Sequence, residues 1–365
     1  MSEAAVYLDW NATTPPHPDV LLAMRAAAET AWGNPSSVHG AGRRARAVVE
    51  SAREALAAAL AVHPRDVIFT SGGTEANNLA LGRCSALATS RIEHPSVVRV
   101  AEALEGGGRP VAWLPVPASG RIEPEAVGVA LTGLPRGATV ALMALNHETG
   151  VVQPVTEVLA VVRARGARLH VDAVQALGRL PGRPWEGADS VAVAAHKIRG
   201  PKGIGALAFA GPPPAPLLLG GAQERGTRPG TLDACLAAGF GAAVARLDAA
   251  RFTRLGPLRD RLERALTGPG TVNGAGAARA PHVASLSFVG QSGDELVAAL
   301  DLEGVCVSSG AACSAGTPEP SPVVLAMLGR ARAAGAVRVS LGETTTDADI
   351  DHAIHAFLRV LARRS

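Results

Sequence analysis

Short apolar runs alternate with longer stretches rich in Ala, Arg and Glu through most of the chain. Asp66–Thr70, Val140–Leu145, Arg168–Asp172, Ser190–Ala194 and Gly205–Phe209 are too short for helices and carry β-branched or aromatic residues, so each predicts a buried strand. Between them, Arg43–Ala61 and Thr156–Arg165 predict helices that cover a sheet. This alternation predicts an α/β fold with a mostly parallel sheet. The proline-rich segment Pro212–Pro216 predicts a loop. From about residue 250 the pattern predicts a second unit, with helices at Arg254–Leu266 and Gly293–Leu302 and strands at Val283–Phe288, Val305–Val307 and Ala336–Leu341. Polar residues stand directly after several strands: Asn146-His147-Glu148, Asp172 and His196-Lys197. Open α/β sheets bind ligands at that edge.

Composition narrows the class. The chain has 365 residues, enough for about two domains at ~150 residues each, and is 47% hydrophobic and 18% charged, a balance that supports a large core. The net charge of +3 implies no nucleic-acid footprint. No apolar run approaches the ~18 residues of a membrane span, and MSEAAVYLDW lacks the features of a secretion signal. A soluble, cytoplasmic protein with free thiols is expected. The four cysteines, at 84, 235, 306 and 313, form no CxxC pair. Cys306 in GVCVSS reads as core, whereas Cys313 in SSGAACSAGTPEPSP reads as an exposed thiol, the first requirement for a nucleophile. Of 35 basic residues only Lys197 and Lys202 are lysine, and both lie in HKIRGPKG. Arginine serves wherever charge alone suffices, but only a lysine amine forms a Schiff base.

Other residues carry chemistry less specifically. SGGTE (71–75), between a strand and a helix, offers backbone N–H groups and the hydroxyls of Ser71 and Thr74 to an anion, or is a plain glycine turn. It is neither a P-loop nor a GxGxxG fingerprint. Asp172, at a strand end, suits a pyridinium partner, as in pyridoxal phosphate enzymes, or a cap or salt bridge. His170 and Asp172 lack a third ligand at metal spacing, so no metal is expected. His94 is either a catalyst or an ordinary packed histidine.

The motifs YLDWNATTPPHP, GNPSSVHGAGRRA, FTSGGTEANNLAL, EHPSVV, NHETGVVQPV, LHVDAVQALG, AHKIRGPKGIGAL, GGAQERGTRPGTL, SSGAACSAGTPEPSPVVL and VRVSLGETTT run in this order nearly end to end. Together they resemble the cysteine desulfurases of the class V aminotransferase group, in the version with a long cysteine loop. The resemblance implies the type I fold of pyridoxal phosphate transferases, with a large domain around a mostly parallel seven-stranded sheet at 15–250. A smaller α+β domain, 1–14 and 251–365, would carry the cysteine loop. The implied cofactor is pyridoxal 5'-phosphate. Lys197 would be its Schiff-base lysine, Asp172 the partner of its pyridine nitrogen, and Gln175 the donor to its phenolic oxygen. Gly73, Thr74 and His196 would hold its phosphate, and Thr231 would reach the phosphate of a partner subunit in a homodimer. His94 would stack on the ring and move protons, Arg338 would grip the substrate carboxylate, and Asn11 and His147 would line the substrate.

The implied reaction turns L-cysteine into L-alanine and leaves the sulfur on Cys313 as a persulfide. An acceptor would then take it, such as an iron–sulfur assembly scaffold or a sulfur carrier, with no nucleic acid or membrane required. Lys202 is expected to support the turn after Lys197. Two positions depart from the family pattern: Ala194 stands where serine is usual, at a possible cost of ~1.5–3 kcal/mol of cofactor binding, and His147 stands where asparagine is usual. Alternatives are a selenocysteine lyase or other β-eliminase on the same scaffold, and a non-catalytic partner-binding scaffold. A nicotinamide dehydrogenase fits poorly, because no Rossmann fingerprint follows a strand.

Overall fold

A computed structural model of the chain describes residues 5–310 and 320–363. Its strands are β1 (Val6–Tyr7), β2 (Val67–Thr70), β3 (Leu87–Ser90), β4 (Val111–Leu114), β5 (Thr139–Met143), β6 (Arg168–Asp172), β7 (Ser190–Ala194), β8 (Gly205–Phe209), β9 (Thr271–Val272), β10 (Val283–Ser287), β11 (Val305–Cys306) and β12 (Ala336–Ser340). Seven of them form one sheet in the order β2-β8-β7-β6-β5-β3-β4, in which only β8 runs antiparallel to its neighbours. The α/β class and the mostly parallel seven-stranded sheet expected from the sequence are both present.

Strands β2, β3 and β8 are buried at every position and β5 to β7 at all but their first residue, and β2, β5, β7 and β8 accordingly read as nearly continuous apolar runs. Helices including Gly40–Leu60, Gly73–Leu81, Pro95–Gly106 and Val155–Ala164 connect or cover them. One hydrophobic cluster joins these layers and also takes in Val323 and Met327. A second cluster contains Leu8, Phe252, Leu262, Leu286, Phe288, Val337 and Phe357. It surrounds an antiparallel sheet in the order β12-β10-β9.

The N-terminal strand crosses back to this second cluster: β1 pairs in parallel with β11. Leu8 and Trp10 then bond to the β12 backbone through Ser340. Residues 9–14 are thereby laid across the C-terminal edge of the large sheet, where Thr14 bonds to the His196 carbonyl. No helix among the described residues is long and apolar enough to cross a membrane, and none of their acidic, histidine and cysteine side chains cluster as a metal site.

Candidate active site

The site is built at the C-terminal ends of β2, β6 and β7. After β2 the chain turns through Ser71-Gly72 into the helix Gly73–Leu81, whose N-cap Gly72 supplies no side-chain cap. The first N–H groups of that helix therefore lack a side-chain acceptor, and an anion suits them. Glu75 turns back to accept from the Ser71 N–H and pairs with Arg228 at 3.1 Å. Thr74 is exposed in the first turn. Ala194 lies beside this turn: its methyl is 3.8 Å from where a Cβ on Gly73 would sit. A serine there would face the same anion position.

Asp172 ends β6 and is 7% exposed. Its Oδ1 accepts from the Val174 N–H at 3.0 Å and its Oδ2 from Asn77 Nδ2 at 2.8 Å. The same Asn77 amide donates to Ser96 Oγ at 2.8 Å, and its Oδ1 meets His170 Nε2 at 2.9 Å. Burial drives the His170 pKa down to about 4, so it is a neutral hydrogen-bonding member of this network. The expected pyridinium partner is thus a buried carboxylate oriented by its neighbours rather than paired to a cation.

His94 caps the helix Pro95–Gly106, its Nδ1 accepting from the Ser96 N–H at 3.1 Å. Because a backbone N–H can only donate, the neutral ring carries its proton on Nε2. Burial, with help from the nearby His147 and Lys197 charges, lowers its pKa to about 4. His147 packs edge-to-face against it with centroids 5.5 Å apart. His147 Nε2 is 3.6 Å from Glu148, and its Nδ1 is buried with no hydrogen-bond partner among the described residues. His147 occupies more of the pocket than an asparagine would.

Lys197 follows β7 in the short helical turn Ala195–Lys197. Its amine donates to the carbonyls of Asn11 and Ala12 at 2.6 and 2.7 Å. Gln175 Nε2 donates to the same Asn11 carbonyl at 2.9 Å. Asn11 is buried and also donates through Nδ2 to the His147 carbonyl. His196 bonds Thr13 through Nδ1 at 3.1 Å, and burial followed by the Lys197 charge lowers its pKa to about 4. Arg338, on β12, is 5% exposed. Its Nη2 pairs with Asp9 at 2.6 Å and its Nη1 meets the His147 carbonyl at 3.2 Å. Its Nε remains a buried donor with no partner among the described residues.

Lys197, Gln175, Asn11, His147, Arg338 and His94 are therefore linked through shared partners or ring contact. Asp172 joins them through Asn77 and Ser96. Thr231 stays apart: it is exposed ahead of the helix Ala234–Val244, and among the described residues no hydrogen bond connects it to the others. Lys202 is exposed in the turn leading to β8. Cys313 lies outside the described residues. Cys306, read as core, is only half-buried, and burial together with Asp301 raises its pKa. Burial also raises Cys84, to about 11, and Cys235. None of these three is an activated thiol.

Sequence reasoning missed Asn77, Ser96 and the buried Arg179, which donates to Asn11 Oδ1, Gln175 Oε1 and the Lys197 carbonyl. A polar Asn inside the apolar helix NNLAL signalled the first, but only the fold shows which groups it joins. The site carries a lysine amine, a buried carboxylate, an uncapped helix N-terminus and a flat histidine. This donor set fits pyridoxal phosphate.

A family profile described as Aminotransferase class-V matches residues 6–353. A protein from Nostoc sp. named cysteine desulfurase is 38% identical over 380 aligned positions, covering 99% of this chain and 94% of its own. Another, from Mycobacterium tuberculosis, named IscS-like cysteine desulfurase, is 39% identical, with 98% and 96% covered. Among solved structures, a NifS-like protein from Rickettsia africae matches with a TM-score of 0.88 at 29% identity, over 98% of this chain and 99% of that one. A structure described as SspA in complex with cysteine matches with a TM-score of 0.81 at 29% identity, over 93% and 99%.

Proposed function

This chain belongs to the class V aminotransferase family and is a cysteine desulfurase, and from that premise we propose that it uses pyridoxal phosphate to move sulfur from L-cysteine to Cys313. The observation that carries this reading is the conjunction, at the C-terminal ends of the adjacent strands β6 and β7, of the buried Asp172 carboxylate and the Lys197 amine. The cysteine bound in the SspA structure supports the same substrate here.

Lys197 would bind the cofactor aldehyde, the first turn of Gly73–Leu81 with Thr74 and His196 its phosphate, Asp172 its ring nitrogen, and Gln175 its phenolic oxygen. When bound, that cofactor supplies an electron sink next to the substrate α-carbon. Arg338 offers its Nε, which has no partner among the described residues, to the substrate carboxylate. The Lys197 amine takes the α-proton, and His94 presents Nε2–H as a proton donor near the reacting sulfur. Cys313 thiolate attacks that sulfur: an S–S bond forms as the C–S bond breaks, and the electron pair left on carbon takes a proton to give alanine. The raised pKa of Cys84, Cys235 and Cys306 supports assigning this step to Cys313.

The persulfide would pass to an acceptor protein in the cytoplasm, in iron–sulfur assembly or thiolation. A homodimer is supported by exposed apolar side chains, Trp32 at 71% and Leu219 at 93% among them. In it Thr231 would complete the partner's phosphate site. The test is release of alanine from L-cysteine by protein supplied with pyridoxal phosphate. Wild type should turn yellow and release alanine, and Lys197→Ala should do neither. Alanine release by Lys197→Ala equal to wild type would reject the assignment.

A further inference from the structure

Arg179 is 1% exposed, among the largest fully buried side chains of the chain, yet forms no ion pair with any described carboxylate. Instead its fork is spent on acceptors of the site. Nη1 donates to Asn11 Oδ1 at 2.7 Å and to Gln175 Oε1 at 2.5 Å. Nη2 donates to the Lys197 carbonyl at 2.8 Å and to the Trp10 carbonyl at 3.2 Å. Its Nε has no partner among the described residues. The neighbouring ring is His282, whose Nε2 lies 3.5 Å from Nη1 and whose protonation burial and Arg179 itself oppose. Burial lowers the Arg179 pKa to about 9, which still leaves it charged at neutral pH.

A buried guanidinium without a counter-ion is costly, and a methionine of similar length would avoid that cost. What the guanidinium adds is direction. It has five donors and no acceptor, so whichever end of the Gln175 amide faces it must be the carbonyl. The amide NH2 is then forced to the opposite side, where it shares the Asn11 carbonyl with the Lys197 amine. Without the guanidinium a carboxamide can rotate by half a turn and present an acceptor there instead.

We propose that Arg179 is a positioning residue that locks the Gln175 amide with its donor toward the reacting end of Lys197, while pinning the Lys197 and Trp10 backbones to the same point. The proposal rests on the assignment of Gln175 to the phenolic oxygen of pyridoxal phosphate. A donor there stabilises the deprotonated oxygen, so losing it raises the pH at which the visible absorbance of the lysine-bound cofactor titrates.

The experiment is a spectrophotometric pH titration of protein loaded with pyridoxal phosphate, comparing wild type, Arg179→Met, Arg179→Lys, Gln175→Ala and the Arg179→Met/Gln175→Ala double variant. Arg179→Met and Gln175→Ala should each raise the midpoint by about one unit, tenfold in the proton equilibrium. The double variant should move no further than Gln175→Ala alone, because both changes remove the same interaction. Arg179→Lys, with one nitrogen in place of a fork, should fall between wild type and Arg179→Met, and it carries the test if the methionine variant does not fold. A shift in Gln175→Ala with none in the Arg179 variants would overturn the proposal. So would additive shifts in the double variant, which would mean that Arg179 acts by charge alone. A wild-type protein with no lysine-bound chromophore would instead overturn the cofactor reading beneath it.

Discussion

Arg338 enters the site with two of its nitrogens already engaged, one by Asp9 and one by the His147 carbonyl. That leaves a fixed Nε for a substrate carboxylate, whereas a lysine carries its three donors on one rotating nitrogen and cannot reach these separate partners together. Arg338→Lys should lower kcat/KM for L-cysteine by about 10–100-fold, the equivalent of a charge-assisted hydrogen bond, chiefly through KM, as read from steady-state kinetics. The residues legible in the sequence were those that chemistry makes rare in their setting. Lys197 stood out in a chain that uses arginine almost everywhere else, and Asp172 stood out as a carboxylate closing an apolar run. Arg179 was illegible for the converse reason: it is one arginine among many, and nothing local to GRLPGR shows that the chain folds over it. Asn77 and Ser96 are ordinary residues whose importance comes from three-dimensional partners alone.

Strands β6, β7 and β8 were legible to the residue: β7 and β8 are apolar along nearly their whole length, and β6 alternates Leu169 and Val171 with polar residues. Strands β3 and β4 were not read, since LATS spends two of four positions on hydroxyls and VAWL is short and only half-buried. In β3, Thr89 satisfies its buried hydroxyl on the Ala141 carbonyl of β5, a partner 52 positions away. Another long-range device holds the turn before the anion site. Glu224, in left-handed backbone at φ 46°, accepts from buried Arg53 at 2.6 Å and from the Phe69 N–H of β2 at 2.8 Å. Glu224→Ala leaves the buried Arg53 only its more exposed partner Glu50, at 3.0 Å, and should cost about 2–3 kcal/mol in denaturant unfolding. Gly342 marks a close approach rather than a special backbone angle, because a Cβ there would lie 1.8 Å from the Trp10 ring. Gly342→Ala should therefore displace the 9–14 segment and weaken pyridoxal phosphate retention, measured by dialysis.

Across the molecule, His94, His170, His196 and His282 are all held neutral by burial. Their folded pKa values lie below the ordinary value of ~6.5, so the unfolded chain binds protons more readily. The stability they contribute is present above ~6.5 and is lost as pH falls toward about 4, and the thermal midpoint should drop across that window. The position of Thr231, exposed and apart from the other site residues of its own chain, bears on assembly. If it serves a partner subunit, mixed Lys197→Ala and Thr231→Ala chains should regain activity that neither has alone. Assembly was legible only through the family resemblance, since a single chain's periodicity carries no record of what covers its surface. The most direct test of the whole account is to mix the loaded enzyme with L-cysteine and follow alanine together with the mass of the peptide carrying Cys313. The account predicts one added sulfur atom on that peptide for each alanine formed in the first turnover, and no turnover in Cys313→Ala. Alanine formed at the wild-type rate by Cys313→Ala, with no sulfur on that peptide in wild type, would contradict it.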